Sequence, residues 1–290
     1  APTGLRFSMR FQLPTSELFV PDGLEPVAAL ARTTHMAVAA HQDDLEIMAY
    51  HGIQACHGRD DAWFLGVVMT DGAGSPREGR FEACTDTEMK VLRRAEQKTA
   101  ARIGAFGACA LLDHPSAALK RAAEPGPIAD LTALFAAARP SVVYTHNLAD
   151  KHDTHVAVAL RVLTALRGLP ADQRPARLLG CEVWRDLDWL PDADKMALDV
   201  SGQEDLQMAL LQAFESQIAG GKRYDLATLG RRRAHATYHA SHGVDATTGL
   251  TFAMDLTPLI QDDSLDPATH ALAQVDRFRA EVAEALARLG

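Results

Sequence analysis

The chain has 290 residues, 47% of them hydrophobic and 23% charged, with a net charge of −9. That is an ordinary globular balance, long enough to bury a sizeable core without disulfides. An acidic chain with no Lys/Arg stripe argues against nucleic-acid binding as the main activity, and no apolar run reaches the roughly 20 residues that span a bilayer.

The N-terminal stretch, 1–33, mixes Pro, Arg and polar residues and reads as an irregular arm. It shows no basic segment leading into an apolar one, so no signal peptide survives in this stretch, and an original leader removed beforehand stays open. Five short apolar runs follow, at residues 35–40, 62–70, 108–112, 141–145 and 178–184. Most of them lack strict alternation, as strands buried on both faces of a parallel sheet do. Between them lie helical stretches. The clearest runs from Glu88 to Gly104, with Met89, Leu92, Ala95 and Thr99 or Ile103 at helical spacing. Residues 127–138 and 155–166 give two more. Strands alternating with helices predict an α/β fold: a Rossmann-like, doubly wound, mostly parallel sheet with helices on both faces. From about 200 to 290 the pattern turns mostly helical, with amphipathic helices at 206–220 and 274–289 and a strand or hairpin at 247–256. No repeat or linker interrupts the chain, so 1–290 reads as a single domain with C-terminal additions.

The four cysteines, Cys56, Cys84, Cys109 and Cys181, form no C-x-x-C pair. That argues against a cysteine zinc site and suits free thiols in a cytoplasmic protein.

In doubly wound sheets, ligands bind at the carboxyl ends of the strands, and here those ends are rich in polar groups. The first strand ends in His41-Gln42-Asp43-Asp44. Adjacent carboxylates repel one another and are tolerated beside a cation, although the same pair also caps a helix N-terminus. After the fourth strand, Asp150-Lys151-His152-Asp153-Thr154-His155 opens a helix, and His152 and His155 are spaced to share one side. Two strand-end loops, each with histidine and carboxylate, supply a facial His/Asp/His set. Such a set suits Zn²⁺ with a position left open for water.

Taken together, His41-Gln42-Asp43-Asp44, the Thr70-Asp71-Gly72 loop, Arg93-x-x-Glu96 and His152-x-x-His155 resemble the PIG-L (LmbE-like) de-N-acetylases over roughly residues 36–166. The resemblance implies a Zn²⁺-dependent hydrolase that removes an N-acetyl or similar N-acyl group from an amino-sugar conjugate or related small amide. It implies His41, Asp44 and His155 as metal ligands, Asp43 as general base, and His152 as acid or oxyanion stabiliser. Arg93 would hold the substrate or the loop; the alternative is an exposed i,i+3 ion pair with Glu96. Fe²⁺ or Co²⁺ also suits such a site, and a homo-oligomer is compatible with it. Two departures stand out. Gln42 replaces the family proline. Asp153 lies one place early, so either Asp153 or Asp150 orients His152, or His152 is tuned differently.

Weaker signals surround this set. Asp71 reads as closing the pocket by bonding its own turn. Trp184 at the end of the fifth strand would stack on a sugar ring and Arg185 would bind an anionic group; the alternative is edge packing and a surface ion pair. His235, His239 and His242 recur on one helix face, as a second metal site, a rim contact from His242, or a solvated or packed face. Arg231-Arg232-Arg233 reads as a solvated helix face. Two competing functions remain: a metal-dependent hydrolase of another bond such as a phosphoester, which would usually use two metals, and a non-catalytic small-molecule-binding relic of the fold. A relic has no need of a free carboxylate beside the metal, and Asp43 is one.

Overall fold

The computed structural model describes residues 9–290. An eight-stranded mixed sheet organises them. Its strands are β1 (Glu17–Phe19), β2 (His35–Ala39), β3 (Phe64–Thr70), β4 (Ala108–His114), β5 (Val142–His146), β6 (Arg177–Cys181), β7 (Lys195–Asp199) and β8 (Leu250–Asp255). The order across the sheet is β1-β4-β3-β2-β5-β6-β8-β7. The central five, β4-β3-β2-β5-β6, run parallel, whereas β1, β8 and β7 join antiparallel.

The central strands are apolar on both faces because both faces are covered. Along β2, Met36 and Val38 enter one core with Leu131, Phe135, Val158 and Val162. Ala37 and Ala39 enter the other, with Leu45, Ile53, Phe106 and Leu210. The first core is roofed by the helices Pro125–Ala138 and Asp153–Arg167, the second by Asp44–Met48, Tyr50–Cys56, Asp86–Ile103 and Glu204–Gln212. The short Asp44–Met48 helix lies so close over β3 that a Cβ on Gly66 would come within 2.8 Å of Leu45 Cδ1. Gly66 therefore sets the height of the helix that begins with Asp44.

Chain order fixes where a ligand can sit. The path runs from β2 outward through β3 to β4, then returns across β2 to β5 and continues to β6. Adjacent loops after β2 and β5 thus diverge to opposite faces, which opens a crevice at their carboxyl ends.

The structure corrects three sequence expectations. The arm 1–33 is not irregular throughout: residues 1–8 lie outside the described part, but β1 pairs with β4 and Pro26–Ala31 forms a helix capped by the Glu25 carboxylate. The helix expected at 206–220 is two, Glu204–Gln212 and Glu215–Ile218, broken at Phe214. The last helix starts earlier, at Pro267, because Asp266 caps it through Thr269 N–H. The C-terminal part also contributes β7 and β8 to the same sheet. No helix among the described residues is long and apolar enough to cross a membrane.

Candidate metal centre and active site

β2 ends at Ala39, and Asp44 opens the next helix, so His41 to Asp43 form a tight turn. Asp43 has φ +91°, a backbone region costly for a residue with a side chain. Its neighbours hold it there. Arg93 donates to the Gln42 carbonyl and to Asp43 Oδ2 at 3.1 Å. The Asp43 amide donates to Gln97 Oε1 at 3.4 Å. Gln42, where the resembling family has proline, donates from Nε2 to the Thr70 carbonyl and so ties the end of β2 to the end of β3. Gly72, with φ +75°, leaves room for this: a Cβ there would sit 2.6 Å from Gln42 Oε1.

From β5, Asp150 to His152 lead into the Asp153–Arg167 helix, with His152 as its N-cap. One turn in, His155 projects back under β2. His41 Nδ1, Asp44 Oδ2 and His155 Nε2 form a triangle with edges of 3.2, 3.2 and 3.3 Å. Tetrahedral ligands with bonds of about 2.0–2.1 Å stand roughly 3.3–3.4 Å apart, so these donors fit one zinc-like cation. Among the described residues this is the only group of three or more His, Cys, Asp or Glu side chains that converges in this way.

Electrostatics agree with the geometry. Burial opposes ionisation of Asp44, but His155, His41 and His146 outweigh it and hold its carboxyl well below the usual range. Burial lowers the His155 pKa, yet Asp44 and Asp150 overcome it and raise the ring to about 9. A cation among these donors would take the place of that proton. Asp43 differs from its neighbour: burial, with the Asp44 charge, raises it to about 6 against the pull of Arg93.

The Asp150 carboxylate lies beside the His155 ring and touches His152 through its backbone amide. Its Oδ1 lies 3.6 Å from His155 Nδ1 and accepts the His152 amide, while Oδ2 accepts the amides of Trp184 and Arg185. Asp150 thus faces the outer nitrogen of His155, as carboxylates behind metal-binding histidines do. His152 is positioned instead by its own helix: Nδ1 accepts from Thr154 N–H, leaving Nε2 as the free ring nitrogen. Burial, His155 and His41 all lower its pKa.

A cavity of about 380 Å³ opens over the triangle. His41, Asp43, Asp44, Asp71, Arg93, His152 and Trp184 reach it. Asp71 bonds its own turn, accepting from Ala73 N–H at 3.1 Å, and pairs with Lys90 at 2.7 Å. Trp184 stands 6.4 Å from the His152 ring, nearly parallel to it, with Tyr224 edge-on at 6.0 Å. Arg185 and His242 are exposed and do not line the cavity. Arg93 and Glu96 do pair, at 3.3 Å, but the pair is buried rather than exposed, with Arg93 only 1% accessible.

Two of the three repeated histidines, His235 and His239, pack against the sheet. His235 bonds Glu182 at 3.0 Å and stacks on Phe252, and His239 lies against the same ring. Glu182 consequently points away from the cavity that Trp184 reaches. Arg232 is also buried, contrary to the solvated face expected for Arg231–Arg233.

Sequence spacing missed His146 at the end of β5. Its Nε2 accepts from the Ala40 amide at 2.9 Å, and its ring stacks on His155 with centroids 3.9 Å apart. Burial and the neighbouring His155 hold it well below its usual pKa. It is a neutral wedge between the two site loops. Gln217, Lys222 and Tyr224 of the C-terminal part also line the cavity; they carried no motif.

Fold and site together define an α/β protein with three converging donors, able to hold a cation, at the switch point of a doubly wound sheet. Residues 36–166 match the PIG-L family model, GlcNAc-PI de-N-acetylase. No curated protein matches significantly. Similar solved structures include a conserved protein from Thermus thermophilus, at 20% identity and TM-score 0.58 over 81% of this chain and 99% of that one. The 4-carboxy-2-hydroxymuconate hydratase GalB of Pseudomonas putida aligns at 17% and 0.56, over 77% and 96%. The N,N'-diacetylchitobiose deacetylase of Pyrococcus horikoshii aligns at 14% and 0.56, over 76% and 83%. At these identities the likeness is one of fold, and a hydratase and a deacetylase share it.

Proposed function

We propose that this chain is a metal-dependent de-N-acetylase acting on an N-acetylated amino-sugar conjugate or similar small amide. The match of residues 36–166 to the PIG-L model supports the reaction class. The observation that carries the proposal is the division of labour between adjacent carboxylates: Asp44 completes the donor triangle while Asp43, beside it, is held out of the triangle by Arg93.

His41, Asp44 and His155 would hold the cation, with Zn²⁺ the best match to two nitrogens and one oxygen and Fe²⁺ or Co²⁺ compatible. Bound there, the cation supplies Lewis acidity toward the amide carbonyl and toward water. Asp43 Oδ2 is engaged by Arg93, so Oδ1 receives the proton from the attacking water. His152 Nε2, free because Nδ1 caps the helix, donates to the carbonyl oxygen as negative charge develops there. The leaving amine takes from Asp43 the proton that Asp43 received from water, while His152 keeps its own. Trp184 offers an aromatic plane to the sugar. A single donor triangle favours amide over phosphoester hydrolysis, which would usually use two metals.

The test is acetate release from N-acetylglucosamine conjugates, with and without chelator, by the native chain and Asp43→Asn. The variant should retain metal and lose roughly a hundredfold to ten-thousandfold in turnover. Near-native turnover in Asp43→Asn with metal retained would remove Asp43 as base; activity insensitive to chelator would remove the metal.

A further inference from the structure

The last helix, Pro267–Leu289, is the longest among the described residues and is almost wholly exposed. Of its 23 residues only Gln274 is fully covered. It is tethered along one face: His270 Nε2 bonds the Asp255 carbonyl, Arg277 pairs with Asp194 at 2.6 Å, and Phe278 lies against Trp189. Roughly 100° around the helix from Gln274 runs a second stripe: Leu272, Val275, Arg279, Val282, Leu286 and Leu289. The spacing alternates three and four residues throughout, the a/d pattern of a coiled-coil seam. Five of the six are large apolar side chains in water, with Leu286 69% and Leu289 82% accessible. An exposed stripe this rich in large apolar side chains, broken only by Arg279, marks an association surface.

We propose that this stripe is a self-association surface on which the same helix of a second copy packs antiparallel. The stripe is complementary to itself in that orientation. Reversed against itself, Leu272 meets Leu289 of the second helix, Val275 meets Leu286, and Arg279 meets Val282, so all six layers fill along about 27 Å of helix. Each layer recurs by two-fold symmetry, as an isologous contact requires. Charge selects the direction. A parallel pair would place two Arg279 side chains in one layer, whereas the antiparallel pair separates them into different layers, each beside Asp276 three residues back on its own helix. The helix carries Asp276, Glu281 and Glu284 against Arg277, Arg279 and Arg288 and no lysine. That balance does not suit an anionic membrane surface, which draws basic amphipathic helices. Phe278 and Gln274 stay on the body side, so the tether and the seam do not compete.

The experiment is sedimentation equilibrium on the full chain across a range of concentrations, with Leu286→Glu as the disrupting variant. A dimer is expected, weakened at least about tenfold by the substitution, since each chain buries its own Leu286. Direction is read by oxidative cross-linking. The double variant Val275→Cys with Leu286→Cys should join two chains through the helix, and Leu286→Cys alone should not. An unchanged far-UV circular-dichroism spectrum and urea midpoint show that each variant is folded. A chain that is monomeric throughout, a dimer indifferent to Leu286→Glu, cross-linking by Leu286→Cys alone, or anionic-vesicle binding that depends on Leu286 would each overturn the proposal.

Discussion

Residues 36–166 and the C-terminal part beyond residue 200 contribute to the same cavity in opposite ways. The first segment carries every donor of the triangle, and each is placed locally, by a strand end or a helix start. The second carries no recognisable motif. Yet it supplies Gln217, Lys222 and Tyr224 to the cavity wall and two buried clamps on the first. One clamp runs from Ser216, whose amide and hydroxyl donate to Glu96 at 2.7 Å, through Glu96 to Arg93 and so to Asp43. The other is Arg232, which donates to the carbonyls of Glu46 and Ile47 in the helix that begins with Asp44. Chemistry here is thus set by short local signals, while its precision depends on long-range contacts.

On that division of labour, the largest effect on stability belongs to Arg93. Arg93→Met leaves Asp43 and Glu96 buried without their counter-charge. Breaking such a group costs about 3–5 kcal/mol. Urea denaturation should show that loss, and surviving protein should turn over more slowly even with metal bound, because the strained turn at Asp43 is released. Unchanged stability would mean that Asp43 and Glu96 do not depend on Arg93.

The second clamp should give a smaller effect. Arg232→Met keeps the bulk of the side chain but leaves two buried carbonyls without a donor, a loss of about 1–3 kcal/mol. Because those carbonyls belong to the Asp44 helix, metal retention under chelator challenge should weaken as well. Destabilisation with unaltered metal retention would make Arg232 a packing residue with no influence on the site.

The legible part of the structure follows the same physics. The five central strands could be read because burial on both faces forces a continuous apolar run. β1 could not, since Glu17–Phe19 is a three-residue edge strand, nor β7, where Lys195–Asp199 is largely solvent-facing. His41, Asp44 and His155 stand out as residue types clustered at strand ends. His146 does not, because accepting one backbone amide imposes no spacing on the sequence. Arg232 was hidden in Arg231-Arg232-Arg233: only the helix facing Gln207, Tyr50 and the Glu46 carbonyl makes the middle arginine unlike its neighbours.

The smallest expected effect separates cavity from surface. Trp184 and Arg185 are adjacent, and both amides are held by Asp150, yet only the Trp184 side chain enters the cavity. Trp184→Ala should raise KM while leaving the fold intact, since it removes the plane between His152 and Tyr224. Arg185→Ala and His242→Ala should change stability by no more than about 0.5 kcal/mol, the range of exposed substitutions without special contacts. Their KM for small N-acetylated amides should match the native value. A rise in KM for Arg185→Ala comparable to that of Trp184→Ala would mean that bound substrate extends past the cavity rim, and the boundary drawn at Trp184 would have to move outward.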